Sequence, residues 1–297
     1  MFESAELGHR IPDREYEREE SKLREELLQA QYALLAKKSF PVILVIGGVD
    51  GAGKGETVKI LNEWMDPRHI VTHAFGEMSD EERERPRMWR YWRALPPKGK
   101  IGILFGSWYT EPILGRVTGK LKTVELDQCI EEIVRFERML TNEGALVLKF
   151  WFHLAKDVQG KRLKTLERDP RTRWRVTDTD WERFKLYGKF RKWSEHTLRQ
   201  TSSGEAPWIV VEGADARYRS LTVGKAILAA VRARLDEQRP VPPAETTPLP
   251  PSMDSAMFSA HLTTSACSQR RSTSESWNCC KADLTCCRGI RSFKGSG

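Results

Sequence analysis

Apolar and polar residues follow two alternating patterns along most of the chain. Short runs that are apolar along their whole length are typical of strands buried on both faces of a sheet. Segments with apolar residues three or four positions apart are typical of amphipathic helices. The predicted strands are 41–47, 69–75, 100–108, 145–154 and 207–213, and the predicted helices are 54–65, 123–142, 156–168, 178–200 and 220–235. Strands that alternate with helices predict an α/β fold with a central parallel sheet and helices on both faces.

A helical extension precedes this pattern, and a tail of different composition follows it. Leu23, Leu27 and Leu34 share one face of a charged helical segment at 12–38. The tail begins with the proline-rich stretch PVPPAETTPLPP and then contains many serines but few aliphatic residues. We expect it to be disordered, because it cannot build a core. The predicted organisation is an N-terminal helical extension (1–38), a globular domain (39–238) and a C-terminal tail (239–297).

The tail contains two cysteine pairs, Cys279-Cys280 and Cys286-Cys287. Their spacing fits no common zinc site, so a metal site is the less favoured interpretation. Two consecutive leucine codons that are read in a frame shifted by one base can also encode a pair of cysteines. Our hypothesis is that the tail is a shifted reading frame that truncates a longer protein.

Composition excludes a membrane protein and indicates an anionic partner. The chain has 297 residues and a mean hydropathy of -0.54, and no apolar run approaches the roughly 18 to 20 residues that cross a bilayer. Its charged N-terminus is not a secretory signal, so we expect a cytoplasmic protein with no membrane partner. Residues 149–199 contain 15 Lys or Arg and 7 Asp or Glu. The net charge of this segment is therefore +8, the same as that of the whole chain. Such a concentration favours a polyanion, and a solvated helical face is the alternative.

The stretch PVILVIGGVDGAGKGETVKIL, residues 41–61, predicts a phosphate-binding loop between a strand and a helix. Gly48, Gly53 and Lys54 fit the usual pattern, but Gly55 stands where a hydroxyl is expected. Backbone N–H groups and the Lys54 ammonium would bind phosphate, and Thr57 supplies the next hydroxyl. Asp50 is unusual in such a loop, because a carboxylate beside phosphate is unfavourable unless a cation intervenes. We therefore expect Asp50 to bind Mg²⁺ or to position a second substrate, with a simple turn residue as the alternative.

The loop GGVDGAGKGET resembles that of the polyphosphate kinase 2 family. Further stretches agree in order, among them LVLKFWFHLAKDVQGKRL, DPRTRWRVTDTDW and APWIVVEGADARYRSLTVGKAIL. The resemblance is greatest to the first half of the two-domain members. It implies a P-loop kinase-like three-layer fold and Mg²⁺-dependent phosphoryl transfer from inorganic polyphosphate to AMP or ADP. It also implies catalytic roles for Asp50 and Lys54, with Asp50 as the metal ligand. The loop glycines implied to bind phosphate are Gly48, Gly51, Gly53 and Gly55.

One motif departs from the family. Where most active members have Asp-Arg-Ser-x-Tyr, this chain has Phe105-Gly106-Ser107-Trp108-Tyr109. A carboxylate and a guanidinium are thus missing from a reaction that depends on charge stabilisation. Glu77 or Glu111 could offer a carboxylate, and Arg90 or Arg93 a cation. The alternative function is therefore a catalytically weakened domain that binds polyphosphate and nucleotide in support of a missing active domain.

The basic segment contains the remaining candidate residues. In the family such a segment closes over the nucleotide and lines a channel for polyphosphate. The candidate phosphate ligands here are Lys149, Lys161, Arg162 and Arg173. Trp174 could stack on a base, although core packing is the commoner role, and His153 reads as a core histidine.

Two other functions remain open from the residues alone. An ordinary ATP-dependent kinase would use the same loop, and a nucleic-acid binder would account for the charge. The chain lacks a recognised nucleic-acid fold, so we expect no nucleic-acid partner. The sequence leaves a homo-oligomer open.

Overall fold

The computed structural model describes residues 1–237, which contain a five-stranded parallel sheet. Its strands are β1 (Val42–Gly48), β2 (Ile70–Ala74), β3 (Ile101–Phe105), β4 (Leu146–His153) and β5 (Trp208–Glu212). They lie in the order β2-β3-β1-β4-β5, and each neighbouring pair is parallel. The predicted parallel sheet is therefore confirmed, with all five strands in the expected places.

The described residues form ten α-helices, of which one precedes β1, eight lie between strands and one follows β5. They are α1 (Asp13–Lys37), α2 (Lys54–Trp64), α3 (Asp80–Arg83), α4 (Trp89–Trp92), α5 (Thr110–Val117), α6 (Thr123–Asn142), α7 (Lys156–Arg168), α8 (Asp178–Lys185), α9 (Tyr187–Thr201) and α10 (Ala216–Asp236). No helix within residues 1–237 combines the length and the apolar composition that crossing a membrane requires.

Alternate side chains of β1 belong to two separate hydrophobic cores. Val42, Leu44 and Ile46 pack in a cluster that includes residues of α1, α2 and α10. Ile43 and Val45 pack in a second cluster, on the other face, that includes residues of α5, α6 and α9. Because strand side chains alternate between the faces of a sheet, this division produces three layers, with helices above and below.

Residues before α1 cover the carboxyl ends of β4 and β5. Phe2 is buried, and its ring stacks on that of His153 with 4.5 Å between centroids. Glu6 Oε1 lies 2.7 Å from His153 Nε2, and His153 is 1% exposed. The prediction of a core histidine is confirmed. Burial lowers the pKa of His153, although the Glu6 carboxylate acts in the opposite direction.

Several elements differ from the prediction, and for three of them the reason is local. Strand β3 ends at Phe105 rather than at 108, because Gly106 leaves the extended region with φ +72°. The segment predicted as one helix at 178–200 is two, α8 and α9, separated at Leu186. Helix α5 was not predicted, since Pro112 and Gly115 weaken its helical pattern.

The described residues belong to one compact unit, in which α1 packs against α2 and α10. The predicted tail, with its linker, its cysteine pairs and the proposed frameshift, lies outside the described residues. The same holds for the domain boundary near residue 238.

Lys149 is part of the core, and its prediction as a phosphate ligand is wrong. Its side chain is 0% exposed, and Nζ donates to Glu137 Oε2 at 2.7 Å and to the Thr201 carbonyl at 2.7 Å. The Tyr109 hydroxyl donates to Glu137 Oε1 at 2.6 Å, so the carboxylate of the ion pair also accepts a hydrogen bond from a neighbouring side chain. Burial, together with the Glu137 carboxylate, raises the pKa of Tyr109 well above its usual value. Lys149 thus neutralises the buried Glu137 carboxylate and does not point to a site where phosphate could bind.

The Lys149–Glu137 pair gives a prediction about stability. Lys149→Met leaves Glu137 as an unpaired buried charge, and we expect the free energy of unfolding to fall by about 3–5 kcal/mol. The matched control is Arg138→Met, an exposed position next to Glu137, where the expected change is within about 0.5 kcal/mol. Urea denaturation measures both. Equal stability of Lys149→Met and the parent would contradict the structural role assigned to Lys149.

Candidate active site

The phosphate loop joins β1 to α2 at the carboxyl edge of the sheet. Gly53 is the last loop residue before α2 and has φ +84°, in the left-handed region that favours glycine. This turn begins α2 at Lys54, so the free N–H groups of the first helical turn lie at the loop. Such N–H groups attract anions. The loop that presents them is attached to the buried strand β1. Gly48 and Gly51 also have positive φ angles, whereas Gly55 lies exposed in α2.

Lys54 turns back over the loop that precedes it. Its ammonium Nζ donates to the Gly48 carbonyl at 2.7 Å and to Asp50 Oδ1 at 3.3 Å, and the side chain is 17% exposed. The ammonium is therefore held beside the loop, where a bound phosphate would meet both it and the backbone amides.

Asp50 is the acidic group of the loop and is held from three sides. Arg183 Nη1 of α8 lies 3.5 Å from Asp50 Oδ2, and the Asp50 carbonyl accepts from Gln159 Nε2 of α7 at 2.9 Å. Burial on its own would raise the pKa of Asp50, but the Lys54 ammonium and the Arg183 guanidinium outweigh it and hold the pKa below its usual value. Asp50 is therefore ionised at neutral pH and able to bind a cation.

A cavity of about 1020 Å³ lies beside Asp50 at the ends of β1, β2 and β3. This volume is at the upper end of the range for sites that bury small-molecule ligands. Both cationic and acidic side chains from several segments line it. The charged lining residues are Asp50, Glu77, Arg83, Arg87, Arg90, Glu111, Lys120, Glu182 and Arg183. Phe75 and Tyr91 add aromatic surface, so the cavity can accept a ligand with both an anionic and a planar part.

The predicted ligands of the basic segment lie at different distances from the loop. Arg162 of α7 reaches Glu56 Oε2 at 3.3 Å and so stands beside α2. Lys161 points to solvent at 82% exposure, and Arg173 lies in an exposed 3₁₀ turn, Arg173–Arg175. Trp174 is 76% exposed, which rules out a core role. For Lys161 and Arg173 phosphate binding stays a prediction.

Thr57 does not offer its hydroxyl to a ligand. The residue is 0% exposed, and its Oγ1 donates to the Gly53 carbonyl at 3.1 Å while accepting from Arg219 Nε at 3.0 Å. The prediction of Thr57 as a phosphate ligand is therefore wrong for its side chain. Sequence reasoning missed Arg219, because no residue spacing marks a buried arginine inside an otherwise ordinary helical pattern.

Phe105 and Gly106 lie at the end of β3, where the family motif has Asp-Arg. Gly106 has φ +72°, and a Cβ at this position would come 2.6 Å from the Phe75 carbonyl oxygen. An arginine therefore cannot replace Gly106 on this backbone. Of the proposed substitutes, Glu77, Glu111 and Arg90 line the cavity, whereas the Arg93 guanidinium lies over the Trp89 ring at 4.8 Å.

The close approach at Gly106 gives a prediction with an internal control. Gly119 has a similar φ of +82° but open space around its Cβ position. We expect Gly119→Ala to cost about 1 kcal/mol of stability from backbone strain, and Gly106→Ala to cost about 1–3 kcal/mol more because of the steric overlap. Guanidinium denaturation of the two variants measures the difference. Equal losses would mean that Phe75 does not restrict this position.

The chain is similar to known proteins along most of the described region. The family model for Polyphosphate kinase 2 (PPK2) matches residues 10–239. A Polyphosphate:AMP phosphotransferase of Pseudomonas aeruginosa is 52% identical over 255 residues, which cover 86% of this chain and 51% of the relative. An AMP/ADP-polyphosphate phosphotransferase of Meiothermus ruber is 30% identical over 220 residues, with 74% and 82% covered.

Solved structures agree with this assignment. The crystal structure of Polyphosphate Kinase 2 from Arthrobacter aurescens TC1 matches with a TM-score of 0.74 at 25% identity, over 87% of this chain and 89% of that one. The chain spans about half the length of the Pseudomonas relative. The fold, the phosphate loop and the family match together place the chain in the polyphosphate kinase 2 family.

Proposed function

We propose that this chain transfers phosphoryl groups between inorganic polyphosphate and AMP or ADP. The observation that supports the proposal is the Lys54 ammonium held against a glycine loop whose Asp50 borders the cavity. In the reaction, the terminal phosphoryl group would leave polyphosphate, shortening it by one unit, and join a phosphate oxygen of the nucleotide. Phosphoryl transfer needs positioning and charge stabilisation more than covalent chemistry. A rigid loop with fixed cations suits that need.

The donor set fits Mg²⁺ bound together with substrate phosphates. Residues 1–237 contain no cluster of three or more His, Cys, Asp or Glu that could hold a metal by itself. Mg²⁺ commonly takes only one or two carboxylates, with phosphates and water filling the remaining positions. Asp50 would hold it, and Mg²⁺ would neutralise charge on the transferring phosphates.

The location and assembly of the protein stay predictions. We propose a cytoplasmic enzyme without a nucleic-acid partner, since binding of polyphosphate and nucleotide would account for the cationic residues beside the loop. The alternative function, binding without turnover, rests on Phe105 and Gly106.

The proposal predicts a requirement for Lys54 and for Mg²⁺. Purified protein is incubated with polyphosphate, Mg²⁺ and either AMP or ADP, and nucleotide products are separated by chromatography. We expect Lys54→Ala to lower the rate about 10²–10³-fold, as loss of one transition-state donor does. Chelation of Mg²⁺ should abolish turnover. Lys59→Ala, on the same helix but with a 78% exposed side chain, is the matched control and should keep the parent rate.

The same assay separates the two candidate functions. Tight polyphosphate binding without nucleotide products would favour the weakened domain, and a rise in rate on Phe105→Asp would then place the defect at the end of β3. Polyphosphate binding that Lys54→Ala leaves unchanged would contradict both candidates.

A further inference from the structure

Arg219 is a fully buried cation directly behind the phosphate loop. It lies in the first turn of α10 and is 0% exposed. Its Nε donates to Thr57 Oγ1 at 3.0 Å, and its Nη1 donates to the Gly213 carbonyl at 3.0 Å. Its Nη2 donates to Glu56 Oε2 at 2.7 Å. One guanidinium thus joins the first turn of α2 to the segment that follows β5.

The guanidinium also lies against the loop backbone at Gly53. A Cβ on Gly53 would come 2.1 Å from the guanidinium carbon of Arg219 and 2.2 Å from its Nη1. Only glycine therefore leaves room for the arginine, and the arginine fills the space that glycine leaves. The shape of the loop at the start of α2 depends on both residues.

The charges around Arg219 leave positive charge behind the loop. Among residues 1–237 its ion-pair partner is Glu56, which is 38% exposed and is shared with Arg162, whose Nη2 lies 3.3 Å away, and the Asp215 carboxylate acts on it without an ion-pair contact. Two guanidinium groups therefore share the Glu56 carboxylate. A charge away from water acts more strongly on its surroundings than one on the surface. An anion at the loop amides would be stabilised from behind as well as by Lys54.

We infer that Arg219 is a positioning residue of the phosphate loop, which fixes Gly53 and Thr57 and adds a buried positive charge to phosphate binding. The inference rests on the proposed function, since it assigns the residue to the same loop. The first hydroxyl of α2, on Thr57, is used to anchor Arg219 and so is not available to a metal.

A purely structural ion pair between α10 and α2 is the competing explanation, and phosphate binding distinguishes the two. Tripolyphosphate binding is measured by calorimetry, with each variant well below its melting temperature. We expect Arg219→Met to weaken binding on the order of tenfold, because loss of a charge and of loop geometry acts on the ligand itself. Arg219→Lys, which keeps the charge but not the fork of donors, should fall between Arg219→Met and the parent.

The matched control is Arg217→Met. Arg217 lies on the same helix, pairs with Asp13 near the surface and is 43% exposed, so binding should match the parent. If Arg219→Met does not fold, Thr57→Val and Thr57→Ser decide. Thr57→Val removes the oxygen that accepts from Arg219 and should weaken tripolyphosphate binding. Thr57→Ser keeps that oxygen and should bind like the parent.

The outcomes separate this inference from the proposed function. If the parent binds tripolyphosphate and Lys54→Ala does not, while folded Arg219→Met binds like the parent, the inference alone is overturned. Parent-like binding by Thr57→Val overturns it in the same way. If the parent does not bind tripolyphosphate, the proposed function is wrong and the inference falls with it.

Discussion

The burial of β1 in the middle of the sheet determines where the site lies. Its side chains from Val42 to Ile46 are at most 1% exposed, and β3 and β4 pair with it on either side. After β1 the chain forms β2 and β3 on one side of it, and then crosses to β4 and β5 on the other. A crevice opens at the carboxyl ends of the strands where the chain changes sides, and ligands bind there in open α/β sheets. The glycine loop leaves β1 at that point, so a buried strand that is paired on both sides supports it.

The electrostatic balance at the loop explains how it can contain acids and still bind phosphate. Each acid of the loop region is paired with an arginine from another segment. Asp50 contacts Lys54 and Arg183, while Glu56 contacts Arg162 and Arg219. These contacts bring four cations to two carboxylates. The acids hold α7, α8 and α10 close to the loop, and the remaining positive charge is available to an anion.

Much of this arrangement follows from the sequence, because it depends on local patterns. The apolar runs located every strand, and the spacing Gly48-x₄-Gly53-Lys54 located the loop, since both signals lie within a few residues. The roles of Lys149 and Arg219 depend instead on residues far away in the chain. Lys149 looks like a phosphate ligand beside other cations, and only its contact with Glu137 of α6 reveals a core residue. Arg219 lies in a stretch that resembles the family, but its position behind Gly53 requires α10 to be placed against α2.

At the end of β3 the backbone conformation determines which side chains the site can contain. Gly106 has φ +72° and lies close to the Phe75 carbonyl oxygen. The Phe75 backbone N–H in turn donates a hydrogen bond to the Phe105 carbonyl at 2.8 Å. An arginine at 106 would require this contact to change, so the difference from the family motif extends to the main chain. Cations on this side of the cavity come from other segments, among them Arg87 and Arg90. The Arg90 guanidinium lies 5.0 Å from the centre of the Phe75 ring, so Phe75 both excludes a side chain at 106 and holds a cation beside the cavity.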